Sequence, residues 1–292
     1  MQNDFKINHL KNNPTMEGLA LLRSGIVYSE EDGEQQTLDL LLPWSVGIAG
    51  DTQKKHPLLV FVQGSGWTTP DRGLEIPQLS SYARAGYVVA TVGHRDYTKG
   101  HQFPAYLNDV KCAIRFLRKN ADFYGIDTER VALWGTSSGG NTALLIGLTA
   151  GDPRYETANY AGYSDAVSAV VSCFAPTDVR WFAEQNRDNP EFCSILSGMF
   201  GPDPETWTEQ CHEMSPVCHT HPQALLPPFL LLHGDADMLV DFGQMKDMYR
   251  VLLDCGASVE AWQVDGAEHE GNFWSDEVHE VIRAFIDRHV MR

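Results

Sequence analysis

The chain predicts an α/β fold, a mostly parallel eight-stranded sheet flanked by helices. Two observations carry that expectation. Eight short apolar or alternating runs are spread over 292 residues with helix-like segments between many of them, and that alternation is the rhythm of stacked βαβ units. Several of these runs also lead straight into loops bearing Ser, Asp, His or paired glycines, at the strand ends where such sheets place their chemistry.

The elements follow in order. Apolar or alternating runs near Gly25 to Tyr28, Thr37 to Leu42, Leu58 to Val62 and Tyr87 to Val92 are read as the first four strands. Between Phe103 and Gly125, Leu107, Val110, Ile114 and Leu117 recur at helical spacing. Val131 to Trp134 is the next strand, and Asn141 to Ile146 opens a helix. Strands near Ala169 to Phe174, Phe229 to Leu232 and Val259 to Val264 complete the sheet, with a helical segment from about Phe242 between the last two. Val278, Ile282 and Phe285 mark a C-terminal helix. With 43% apolar residues, and without a repeat, low-complexity tract or interdomain linker, residues 1–292 read as a single domain. The stretch 178–226 interrupts the alternation and is read as a cap insertion within it.

The chemistry starts at Gly135-Thr136-Ser137-Ser138-Gly139, a G-x-S-x-G turn between a strand and a helix. A serine hydroxyl becomes a useful nucleophile only when it is held clear of the backbone, beside a base and beside donors for the developing oxyanion. The α/β-hydrolase fold carries its triad in the chain order Ser, Asp or Glu, His. Here the strand at Phe229–Leu232 runs into His233-Gly234-Asp235-Ala236-Asp237, and the strand at Val259–Val264 into Asp265-Gly266-Ala267-Glu268-His269. Ser137 is therefore read as nucleophile, Asp237 as acid and His269 as base. Asp235 competes with Asp237, and Ser138 with Ser137. A lone strand-end Asp is usually a turn or cap residue and a lone His usually packs or faces solvent, so the order of all three carries the reading. On this reading activity falls as pH drops through the His269 titration, because a protonated imidazole accepts no proton.

An oxyanion hole is expected where the strand from His56 to Val62 runs into Gln63-Gly64-Ser65-Gly66-Trp67. The N–H groups of Ser65, Gly66 and Ser138 are its assigned donors. Aromatic residues concentrate in and around the cap, and Trp67, Trp181, Phe200 and Trp274 are assigned to the substrate pocket.

The chain resembles the α/β-hydrolase serine esterases grouped with bacterial feruloyl and acetyl-xylan esterases, near the carboxylesterase/lipase and kynurenine-formamidase branches. The resemblance spans most of the chain. It rests on Gln63-Gly64-Ser65-Gly66-Trp67, His94-Arg95, Phe103-Pro104-Ala105 with Asp109-Val110-Lys111, Tyr124-Gly125-Ile126-Asp127, Trp134 to Gly140, Ser215-Pro216 and His233 to Asp237. Two departures stand in the oxyanion loop: Gln63 replaces the family's histidine and Ser65 one of its glycines. The resemblance implies a cofactor-free serine carboxylesterase acting on short acyl or aromatic acyl esters, those decorating plant polysaccharide fragments among them. Two rivals are hydrolysis of a small amide, as by an arylformamidase, and a catalytically silent binding protein on the same fold.

A net charge of -17 argues against nucleic acid or an anionic membrane as partner. No apolar run is long enough for a signal peptide or a membrane span, so a cytoplasmic location is expected, as monomer or homodimer, with a small ester as the partner. The six cysteines are read as free thiols. Cys211-His212 and Cys218-His219-Thr220-His221 hold zinc-type donors, but their spacing fits no standard motif and no metal is assigned.

Overall fold

In the computed structural model, which describes residues 7–48, 50–201, 203, 206–220 and 225–291, the strands are β1 (Ala20–Glu31), β2 (Glu34–Pro43), β3 (His56–Val62), β4 (Val88–Val92), β5 (Ile126–Thr136), β6 (Ala169–Cys173), β7 (Phe229–Gly234) and β8 (Val259–Val264). They join one sheet in the order β1-β2-β4-β3-β5-β6-β7-β8. β2 pairs antiparallel with both β1 and β4, and every later pairing is parallel. The central strands are covered on both faces, so β3, β4 and β6 read as unbroken buried runs rather than alternating ones. β8 forms an edge and leaves Trp262 half exposed.

The described α-helices are α1 (Trp44–Gly47), α2 (Ile76–Arg84), α3 (Ala105–Lys119), α4 (Ala121–Tyr124), α5 (Ser138–Leu148), α6 (Val179–Gln185), α7 (Pro190–Phe200), α8 (Thr208–Met214), α9 (Phe242–Asp254) and α10 (Asp276–Val290). Two cores result, one on each face of the sheet. On one, Leu107, Val110 and Ile114 of α3 meet Leu144 of α5 and Met248 of α9. On the other, Leu79 and Tyr82 of α2 meet Val278, Ile282 and Phe285 of α10.

Several of the sequence motifs serve this scaffold. Asp109 on α3 accepts from the Arg95 guanidinium and from the Arg95 backbone N–H, which pins the loop after β4. Lys111 and Arg115, both buried, share Asp165. Ser215 accepts the Val179 N–H and donates to the Cys211 carbonyl, tying α6 to α8. Residues 178–226 carry α6, α7 and α8 over the strand ends, held at the base by buried amides. Asn141 donates to the carbonyls of Pro176 and Met214, and the Gln244 carbonyl accepts the N–H groups of Thr177 and Asp178. These contacts anchor the start of the segment at Pro176 to Asp178 and the end of α8 at Met214.

All six cysteines are free. Burial pushes the Cys211 thiol up to about 11, which opposes the thiolate a zinc site requires. His219 points its Nε2 at the Glu213 carbonyl, and His221 lies outside the described residues. No helix among the described residues is long and apolar enough to cross a membrane.

Candidate active site

β5 ends in a turn too tight for side chains at either glycine. A Cβ on Gly135 would overlap the Gly139 carbonyl, and one on Gly139 would overlap the Val62 carbonyl. Between them Ser137 adopts φ 50°, ψ -121°, a conformation L-residues avoid and active sites retain where the surroundings enforce it. The enforcing contact is the Ser137 N–H, which donates to the Cys173 carbonyl at the end of β6, 2.9 Å away. Gly139→Ala is expected to lower thermal stability by about 1–3 kcal/mol, since the backbone of β3 or of the elbow must move apart. A melting curve beside the esterase rate checks this, and an unchanged melting temperature would refute it.

The elbow delivers Ser137 Oγ to within 2.9 Å of His269 Nε2, while His269 Nδ1 lies 2.8 Å from Asp237 Oδ2. Residues 132 and 32 positions apart thus form one hydrogen-bonded line, drawn from the ends of β5, β7 and β8. Asp237 is buried and saturated. Its Oδ1 accepts the N–H groups of Leu239 and Val240, both at 2.9 Å, and its Oδ2 also faces His233 Nε2 at 3.0 Å. Burial alone would raise the carboxyl, but the hydrogen bonds from His233 and His269, with the His269 charge, outweigh it and hold Asp237 far below the usual carboxylate range. Phe174 backs the imidazole edge-on, with ring centroids 4.8 Å apart.

Both competitors are engaged elsewhere. Asp235 accepts from Gln263 and from the Gly266 N–H, stapling the β7 loop to the β8 loop. The Ser138 hydroxyl accepts the Ser65 N–H at 2.9 Å. That contact corrects the oxyanion assignment, because Ser65 N–H is directed at a side chain instead of the site. Among the described residues, Gly66 N–H and Ser138 N–H have no protein acceptor. Gly66 and Trp67 are left-handed, at φ 58° and 61°, and Ser138 is the first residue of α5, whose leading N–H groups are unpaired by geometry. Ser65 itself acts as a strut, its hydroxyl donating to the Thr68 carbonyl.

A cavity of about 260 Å³ opens over Ser137, walled by Trp67, Phe182, Phe192, Ile195, Leu239 and Val240. Of the assigned pocket residues only Trp67 belongs to it. Trp181 turns the other way on α6 and packs over Gly243. Phe200 is buried against Trp207 inside the cap. Trp274 lies beyond Phe174, stacked on His279 at 5.2 Å in the core below His269. The wall comes instead from Phe182 next to Trp181, and from Phe192 and Ile195, whose i, i+3 spacing on α7 presents both on one face.

Glu270 is the acidic residue in this wall, and sequence reasoning missed it. It follows His269 directly in a left-handed conformation, φ 61°, ψ -155°. Gln63, buried in place of the family's histidine, reaches toward it with Nε2 at 3.5 Å. Burial, with the Glu270 charge added, raises the Glu75 carboxyl behind them. The only signal available in sequence was a carboxylate adjoining the base.

A serine-bearing elbow after β5, hydrogen-bonded in line with a histidine after β8 and an aspartate after β7, on this sheet gives the chain the architecture of an α/β-hydrolase. Residues 45–252 match the BD-FAE family, and the chain belongs to that family. It is 30% identical over 219 residues to esterase LipC of Mycobacterium tuberculosis, covering 74% of this chain and 53% of the relative. In structure it resembles a truncated carbohydrate esterase from gut microbiota, with 25% identity, a TM-score of 0.76, and 93% of this chain and 97% of the other covered. A bifunctional GH43-CE protein of Bacteroides eggerthii is similar at 26% identity and TM-score 0.76, over 92% of this chain and 38% of that one. The chain spans about half the length of the curated relatives it matches.

Proposed function

We propose that the chain is a serine carboxylesterase hydrolysing short-chain acyl or aromatic acyl esters through an acyl-enzyme. The carrying observation is the Ser137–His269–Asp237 line opening into an apolar cavity of about 260 Å³. His269 takes the Ser137 proton during attack and returns it to the leaving alcohol, while Asp237 holds the Nδ1–H tautomer and stabilises the imidazolium. The N–H groups of Gly66 and Ser138 receive the oxyanion. Water then repeats the sequence on the acyl-enzyme.

The alcohol leaves past His269, and Glu270 stands on that side as an acceptor for hydroxyl groups. The name of the carbohydrate esterase with which the chain shares 25% identity agrees with a hydroxyl-bearing alcohol. The wall formed by Phe182, Phe192 and Ile195 favours a small or flat acyl group over a long one. Initial rates on p-nitrophenyl acetate, butyrate and octanoate, methyl ferulate, acetylated xylo-oligosaccharide and N-formylkynurenine test this. Acetate and butyrate are expected to exceed octanoate in kcat/KM by tenfold or more, on the order of a few apolar carbons denied burial. Turnover of the formamide alone would replace the ester reading with an amidase. Absence of turnover together with no fluorophosphonate labelling would remove the hydrolase reading altogether.

A further inference from the structure

The proposed reaction uses three side chains, yet Asp237 has a second ionisable neighbour besides His269. His233 closes β7, is fully buried, and stands four residues before Asp237. Its Nε2 lies 3.0 Å from Asp237 Oδ2 and 2.9 Å from the Val240 carbonyl. Both are acceptors, so Nε2 carries the proton and shares it between them. Its Nδ1 is buried with no hydrogen-bond partner among the described residues. The ring borders a small void of about 10 Å³ shared with Ser172 and Thr177.

We propose that His233 is a positioning residue for the reaction, orienting the Asp237 carboxylate toward His269 and tempering its pull on the imidazolium. Oδ2 is the oxygen that His269 Nδ1 uses, so His233 and His269 address the same atom from two directions. The loop geometry makes the contact specific. One histidine nitrogen binds both Asp237 and Val240, while the Val240 N–H returns to Asp237 Oδ1. The closed ring of contacts Nε2–Oδ2, Oδ1–N–H of Val240 and Val240 carbonyl–Nε2 fixes the plane of the carboxylate. Without His233, Oδ1 would be held by the two backbone N–H groups and Oδ2 by the His269 imidazole alone.

Withdrawal of the His233 donor has two consequences. The carboxylate swings, which lowers kcat through misorientation of His269, by up to about a hundredfold. Oδ2 also keeps more of its charge for His269, so the imidazolium is favoured and the acid limb of the rate profile moves to higher pH. The other ionisable groups on these loops are Asp235 between His233 and Asp237, Asp241 at the start of α9, Glu268 and Glu270 flanking His269, and Glu75 at the N-terminal end of α2, whereas the His233 hydrogen bonds go to Asp237 and Val240.

The test compares His233→Gln with His233→Met, side chains of similar length and shape of which only the first carries an N–H donor near the Nε2 position. The inference rests on the triad reading, so Ser137→Ala is measured alongside. Turnover surviving in Ser137→Ala would fail that reading, whatever His233 does. With p-nitrophenyl acetate, His233→Met should lose kcat ten- to a hundredfold with KM nearly constant and show the shifted acid limb, while His233→Gln recovers most of both. Equal losses in the two variants with the acid limb fixed at its wild-type position would overturn the proposal, leaving His233 a packing residue. If His233→Met does not fold, nitrogen-15 histidine spectra of the wild-type enzyme decide. A protonated Nε2 on His233 and a downfield His269 Nδ1 proton support the proposal; the opposite His233 tautomer removes the donor and with it the inference.

Discussion

Ser137→Ala is expected to lower kcat about a millionfold, the scale on which triad nucleophiles act when the rest of the site is kept. The substitution removes one hydroxyl and leaves the elbow intact, because the strain at φ 50° is borne by the backbone and by the N–H donated to Cys173, not by Oγ. The melting temperature should therefore stay close to wild type, and that separates loss of chemistry from loss of fold. Ser138 offers no rescue. Its hydroxyl already accepts the Ser65 N–H, and the base at 2.9 Å from Ser137 is committed to the neighbouring oxygen. Steady-state rates and fluorophosphonate labelling read the same event. A variant retaining more than a hundredth of the wild-type rate would place the nucleophile elsewhere.

The proposed triad is legible in the sequence because its members sit at strand ends in a fixed chain order. Val131–Trp134, Phe229–Leu232 and Val259–Val264 are recognisable as strands without any knowledge of their neighbours, and parallel pairing then brings their C-terminal loops to one edge. The pocket is a different problem, since it depends on which side of a short helix faces the cavity. Trp181 and Phe182 are adjacent on α6, equally aromatic, and only Phe182 reaches the site. Trp274 follows His269 by five positions, yet the turn at Gly271–Phe273 carries it under the sheet's second core. Glu270 and Ser65 turn on backbone geometry. The left-handed φ that aims Glu270 into the pocket has no signature in a glutamate, and the hydrogen bond taking Ser65 N–H out of the oxyanion set comes from a hydroxyl 73 residues away. Helix α2 is likewise faint, since its buried face is only Leu79, Tyr82 and Ala83. Its packing against α10 is a tertiary fact.

Asp237→Asn is expected to cost about ten-thousandfold in kcat, the scale on which a triad carboxylate acts through the tautomer it imposes. The hydrogen bonds say why the loss should be large here. The native carboxylate accepts from four donors, two backbone N–H groups on Oδ1 and two histidines on Oδ2. An amide has an acceptor for one pair only. With its oxygen toward Leu239 and Val240, its NH2 confronts His233 Nε2–H and drives His269 to the tautomer whose Nε2 already carries a proton and accepts none from Ser137. With the amide reversed, both backbone N–H groups are left facing a donor. In either orientation buried donors lose their partners, so stability should also fall, by roughly 1–3 kcal/mol. Wild type carries the matching pH signature. Because Asp237 is held below its unfolded value, its stabilising contribution is complete above the ordinary carboxylate range and disappears as pH falls into strong acid. In Asp237→Asn that acid-dependent part of stability is absent, and unfolding free energy should depend less steeply on pH in the acid range. Denaturant titrations at a series of acid pH values, with kcat measured on the same samples, test both halves. A variant with near wild-type turnover would move the acid role to Asp235, whose carboxylate is already shared between Gln263 and Gly266.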